Sequence, residues 1–240
     1  LESERFPLDP VVQRMYLARC NAQLGETAAS ENNWQRAFEA AGGEVGELMT
    51  LADYAEKNGA STIAERAYTT AAAAAPKMRA AQQGRLRAAQ ASHDARKIHA
   101  VLADMLAVWP NDTAVQNDEA YLRLLLGINA AAATDSHEPI TNNRDAVATI
   151  EQLASSLVER EPASLPHRTL LALARLKLGH ADEALAVYTG INVPTNALTA
   201  SALAVHSAVL AATGHGEDAA TERAQIPAEQ LLPEERALLE

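Results

Sequence analysis

The side chains able to do chemistry are few and scattered. Seven histidines, His93, His99, His137, His167, His180, His206 and His215, form no His-Glu-x-x-His arrangement, and Cys20 is the single cysteine. Zinc needs three or four His, Cys or carboxylate ligands at fixed spacing, so the sequence points to no metal. A glycine-rich phosphate loop and a Gly-x-Ser-x-Gly elbow are also missing, and no nucleophile has a base at a recognisable spacing. The expectation is a chain with no cofactor and no catalytic residues. Cys20, between Arg19 and Asn21, is expected as a small buried hydrophobe. His180 and His215 each follow a glycine and read as exposed turn residues.

One cluster of charge stands out. Lys77, Arg79, Arg85, Arg87, Arg96 and Lys97 fall in a stretch holding one acid, Asp94, in a chain of formal net charge −11. Such a patch would receive an acidic peptide, or be a solvated helix face. The net charge itself disfavours nucleic acid and anionic lipid, which bind basic surfaces. No window is long and apolar enough to cross a membrane, and the start Leu1-Glu2-Ser3-Glu4-Arg5 has neither a basic nor an apolar leader region. Leu at position 1 reads as the start of an excised or processed piece. Cytoplasm and periplasm both stay open.

The elements that must position these residues follow from composition and period. Of 240 residues, 48% are hydrophobic, but only nine are aromatic, and the chain is rich in Ala, which favours closely packed helices over sheets. Gly25, Gly59, His93 and Gly127 recur every 34 residues; Gly179 and Gly214 continue the series after gaps of 52 and 35. Seven residues before each beat stand Ala18, Ala52, Leu86, Ala120, Ala172 and Ser207; nine after come Trp34, Tyr68, Leu102 and, in the fifth unit, Tyr188. Pro76 and Pro110 close units two and three. A fixed period of this length identifies stacked two-helix units, in which neither helix buries its apolar stripe alone.

These positions resemble the tetratricopeptide repeat of bacterial-type proteins, a helix-turn-helix unit with small, Gly, Ala, aromatic and Pro residues in this order. The second unit, with Leu48, Leu51, Ala52, Gly59, Ala64, Tyr68, Ala71 and Pro76, carries it best. The resemblance implies an all-α, right-handed α-solenoid superhelix of about six pairs. The expected units are about 11–44, 45–78, 79–112, 113–164, 165–199 and 200–232, after an extended arm over 1–9. The aromatic expected three residues after the small position is replaced by Asn21, Ala55, Ala89, Arg123 and Arg175, whereas the residues one earlier are apolar, as if the first helices were rotated by one residue. The fourth unit carries 18 extra residues around Ile128 to Asp145. Its first helix is expected to run through Gly127 into Ala130 to Ala133. A loop at Ser136 to Pro139 and a second helix capped by Thr141 or Asn142 complete a longer, protruding hairpin.

Partners of such repeats lie in the groove lined by the first helices. The register places Arg19, Gln23, Asp53, Lys57, Arg87, Gln90, Tyr121 and Leu124 there, followed by Leu173, Leu176, Ala208 and Ala211, so polarity falls along the groove. Tyr16, Thr50 and Gly84 do not reproduce the family's clamp for chaperone carboxy-terminal peptides. Residues 233–240, beginning Pro233-Glu234-Glu235, read as the start of a capping helix, with a groove-covering helix as the alternative. The expected function is a non-catalytic scaffold or adaptor binding a protein or peptide, with homo-oligomerisation open. The competing reading is a self-association or spacer region of a larger envelope-bound or catalytic polypeptide.

Overall fold

Aspartate and threonine start the helices that have side-chain caps. Asp9 accepts from the backbone N–H groups of Val11 and Val12, Asp94 from Arg96 and Lys97, Asp112 from Ala114 and Val115, and Thr199 from Ala202. The computed structural model describes residues 9–128, 144–190 and 198–240; among these, regular structure is helical throughout. The helices are α1 (Pro10–Gln23), α2 (Thr27–Ala41), α3 (Val45–Lys57), α4 (Ser61–Ala74), α5 (Arg79–Ala91), α6 (Ala95–Val108) and α7 (Thr113–Leu126). They continue as α8 (Arg144–Arg160), α9 (Leu165–Leu178), α10 (Ala181–Ala186), α11 (Ala200–Ala212), α12 (Gly216–Arg223) and α13 (Pro233–Arg236).

The 34-residue beat is a backbone event. Gly25, Gly59, Gly127, Gly179 and Gly214 all sit at positive φ, and so does His93 at 51°, the one such non-glycine residue among those described. That conformation ends a helix and costs glycine no Cβ clash. Gly127 corrects the expectation that the helix runs through it: at φ 64° it is the left-handed cap of α7, which ends at Leu126. The remainder of the expected fourth hairpin, Ala130 to Asn142, lies outside the described residues, as do residues 1–8 of the arm expected over 1–9. Its second helix, α8, is the longest of the described helices at 17 residues.

Two units result, Leu1–Ser92 and His93–Glu240, so the division falls inside the third turn and through the expected third unit. In the first, α1 packs on α2, α3 on α4, and α4 on α5, around Met15, Ala18, Trp34, Leu48, Leu51, Ala52 and Tyr68. In the second, α8 packs on α9, and α9 and α11 lie side by side, with Leu157, Leu170, Ala172, Leu173, Val205 and Val209 buried between them and their partners.

The small positions explain how closely the pairs approach. Ala18, Ala52, Ala120, Ala172 and Ser207 are fully buried. In the first pair Ser30 Oγ donates to the Ala18 carbonyl at 2.8 Å; in the last, Ser207 Oγ donates to the Ala219 carbonyl at 2.9 Å. These are equivalent positions with the hydroxyl moved to the other helix, a contact only small residues permit. Of the residues nine after each beat, Trp34, Tyr68 and Leu102 are buried wedges and Tyr188 is half-buried.

The inferred one-residue rotation divides between the units. In the second, Leu122, Ala174 and Val209 are the buried residues; in the first, Ala55 and Ala89 are fully or almost fully buried while Tyr54 and Ala88 are only half-buried. Cys20 is exposed, which corrects its expected burial.

Candidate functional site

In the first unit, the register places groove residues on α1, α3 and α5, and Arg19, Gln23, Asp53, Lys57, Arg87 and Gln90 are all exposed there. Helix periodicity puts Asp53 and Glu56 one turn apart on α3, where both reach the hydroxyl of Tyr68 from α4. Tyr68 Oη lies 2.6 Å from Asp53 Oδ1 and 2.7 Å from Glu56 Oε2. One phenolic proton serves two carboxylate oxygens, and Arg87 supplies the compensating charge. Arg87 Nη2 donates to Glu56 Oε2 at 3.0 Å and to Tyr68 Oη at 3.0 Å, while Nε donates to Glu56 Oε1 at 3.2 Å.

The electrostatics follow the geometry. Arg87 donating to Glu56 holds that carboxylate below its ordinary range. Burial first, then the hydrogen bonds to Asp53 and Glu56, pushes the Tyr68 phenol well above the ordinary tyrosine range. Arg87 is thereby engaged within its own unit, although the sequence counted it in the basic patch. Arg79 and Arg85 also make interactions of their own, and the roughly 100° step per residue puts Arg85 and Arg87 on opposite sides of α5. Of the other patch residues, Lys77 lies in the first unit and Arg96 and Lys97 in the second; all three are exposed.

Beside this network runs an aromatic series from solvent to core. Tyr16, 50% exposed, meets Tyr54 edge-on at 5.8 Å between ring centroids, and Tyr54 meets buried Trp34 at 6.0 Å. The Tyr54 hydroxyl raises the pKa of neighbouring Arg19, yet that hydroxyl is buried and makes no well-formed hydrogen bond among the described residues. Leu17 on α1 and Leu24 at its carboxy-terminal cap add exposed apolar surface. Sequence reasoning had Tyr16 only as a clamp position that departs from the family, and it missed Tyr54, Glu56 and Tyr68 as neighbours of this face, because the register assigned two groove positions per helix.

The second unit differs. Leu124 and Leu173 are buried, Tyr121 and Leu176 half-buried, Ala208 8% exposed and Ala211 exposed, so the expected apolar groove wall is largely covered. Part of the cover is the chain's own end. Leu231 packs on Ala200 and Ala204 of α11, and the buried Glu235 carboxylate accepts from Tyr121 Oη of α7 at 2.9 Å. A cavity of about 620 Å³ lined by Arg123, Arg144, Lys177, Leu124 and Ile150 opens between α7, α8 and α9; Ile128 and Arg144 border residues outside those described.

Two of the described histidines sit close beside carboxylates. His99 lies 3.2 Å from Glu119, and His206 lies 2.8 Å from Glu222 with its ring against Tyr188. His180 and His215 are exposed in their turns as expected. Among the described residues no cluster of three potential metal ligands occurs, and no helix is long and apolar enough to cross a membrane.

No protein-family model and no curated protein sequence matches the chain. Solved structures are similar in fold. A tetratricopeptide repeat protein from Parabacteroides merdae aligns over 96% of this chain and 97% of its own, at 15% identity and a TM-score of 0.49. PilW, a type IV pilus biogenesis factor, aligns over 96% and 98% at 12% identity and 0.46. PilF of Pseudomonas aeruginosa aligns over 90% of each chain at 12% identity and 0.45. The chain has a tetratricopeptide-type helical-repeat fold, and its own recurring turns and helix pairs carry that assignment.

Proposed function

We propose that this protein is a non-catalytic interaction scaffold and that the first-helix face of its first unit, formed by α1, α3 and α5, is where it holds a peptide or helix of a protein partner. The carrying observation is Tyr16 on Tyr54: a half-exposed aromatic packed on a second ring that itself rests against buried Trp34. Aromatic rings supply contact area at low entropic cost, and an exposed ring backed by a buried one is a ready anchor for a partner's apolar side chain. Arg19, Asp53 and Lys57 flank the pair with both signs of charge, which suits a mixed-charge segment more than a uniformly acidic one. Arg87, neutralised by Glu56, acts in this reading as a wall of the groove and not as its cation.

Selection of a random peptide library on the intact chain tests the reading. Enriched peptides should lose about ten-fold or more in affinity on Tyr16→Ala, the usual weight of an aromatic anchor, with an unchanged unfolding midpoint. Peptides that bind equally well to Tyr16→Ala and to Arg19→Glu would place the binding surface elsewhere and overturn it.

A further inference from the structure

The carboxy-terminal segment sits where a groove ligand would. Its regular pieces are short: a 3-10 turn over Ala228–Gln230, the four-residue α13, and a second 3-10 turn over Ala237–Leu239. Four residues of helix have no stability of their own in water, so the surface beneath must hold them. That surface is made by α11 and α7, both first helices of their pairs. Leu231, 1% exposed, fits over Ala200 and Ala204; Leu238 packs against the main core of the unit, and Leu239 against the same small cluster as Leu231.

Glu235 is the polar anchor. It is 1% exposed, and its two carboxylate oxygens accept from neutral donors, Tyr121 Oη at 2.9 Å and the Leu232 backbone N–H at 2.8 Å. A buried carboxylate is tolerated only where donors meet it, so the contact fixes where the segment sits, and loss of the carboxylate leaves the buried Tyr121 hydroxyl without its acceptor. The Tyr121 hydroxyl also neighbours Ser201 of α11, so one point joins α7, α11 and the segment.

We propose that residues 231–239 are an intrachain ligand of the first-helix face of the second unit, and that this face takes in trans a protein segment of the same chemistry. That chemistry is a leucine, a glutamate four positions on, and a Leu-Leu pair three and four positions beyond the glutamate. The chain's own end then competes with such a partner, because a face occupied in cis is available only for the fraction of time the segment is released. This inference concerns a different face from that of Tyr16 and Tyr54, so either can fail alone.

The experiment uses the 240-residue chain and a fluorescent peptide with the sequence of residues 228–240. Glu235→Ala in the protein weakens the cis copy and leaves the face intact, so the peptide should bind that variant about ten-fold more tightly than the unaltered chain. Tyr121→Phe in the Glu235→Ala chain should reverse much of the gain. Equal binding to both chains, or to neither, overturns the proposal. Hydrogen exchange on the unaltered chain gives a second reading that needs no variant. Amides of residues 231–239 should open without the opening of α9 and α11, and exchange only together with those helices would make the segment an integral cap.

Discussion

Gly84 of α5 lies flat against the ring of Tyr68: a Cβ at that position would stand 2.3 Å from two ring carbons. The ring cannot retreat, since Tyr68 is fully buried and its hydroxyl is fixed by Asp53, Glu56 and Arg87. On an open helix Gly84→Ala would gain about 1 kcal/mol of propensity. Here overpacking wins, and we expect a net loss of about 1–3 kcal/mol in urea unfolding. In a Tyr68→Ala background the same change should become neutral or stabilising.

His93 stands at a left-handed position that five equivalent turns give to glycine. His93→Gly should raise stability by about 1 kcal/mol, the strain relieved, which is a rise of roughly 2–4 °C in Tm for a chain of this size. At Gly59, φ 74°, a Cβ would meet nothing within 4 Å, so Gly59→Ala tests the backbone alone and should cost about the same amount. Thermal unfolding of both variants checks the pair of signs.

Alkaline pH should unfold the protein early. Burial pushes the phenols of Tyr68, Tyr121 and Tyr188 above the ordinary tyrosine range, with Asp53 and Glu56 adding to it at Tyr68, and Glu235 at Tyr121. A raised folded pKa means the folded state keeps protons that the unfolded chain releases near about pH 10. Stability is therefore full below that pH and falls as pH rises towards the folded values. Phenolate absorbance should rise together with the loss of helical signal. Tyr68→Phe combined with Tyr121→Phe should flatten the decline, and ionisation with the helices intact would contradict it.

Arg87→Glu should place a third carboxylate beside Asp53 and Glu56. Both Arg87 and Glu56 are partly exposed, so the loss in stability should be about 1 kcal/mol or less and should shrink as salt screens the repulsion. A denaturant series at low and high ionic strength reads it. A loss independent of salt would mean that Arg87 acts through packing on the Tyr68 ring, 5.5 Å away.

The repeat was legible because its signals are local. Glycine at the turns, small residues where helices approach and aromatic wedges each answer a steric demand of one helix pair, and Ser30 and Ser207 show the demand surviving an exchange of roles. The division at Ser92 and His93 falls at the beat lacking glycine and beside Leu86, the one large residue in the small series. The face of the first unit was only half legible. Asp53 and Arg87 came from register, but their meeting depends on Tyr68, a residue of the opposite helix class. In the second unit the apolar positions were read from register, but α11 is buried on nearly every side and carries no amphipathic stripe, so the sequence did not show which of its residues face outward.

The exposure of Cys20 has a practical side. It is the chain's single thiol, and it lies next to Arg19 on the helix that also carries Tyr16. A maleimide dye would therefore couple at one address, on the helix proposed to meet a partner, with no engineered cysteine and no competing site to remove. Quenching or protection of that one label reports occupancy directly, and the chain comes with its own sensor.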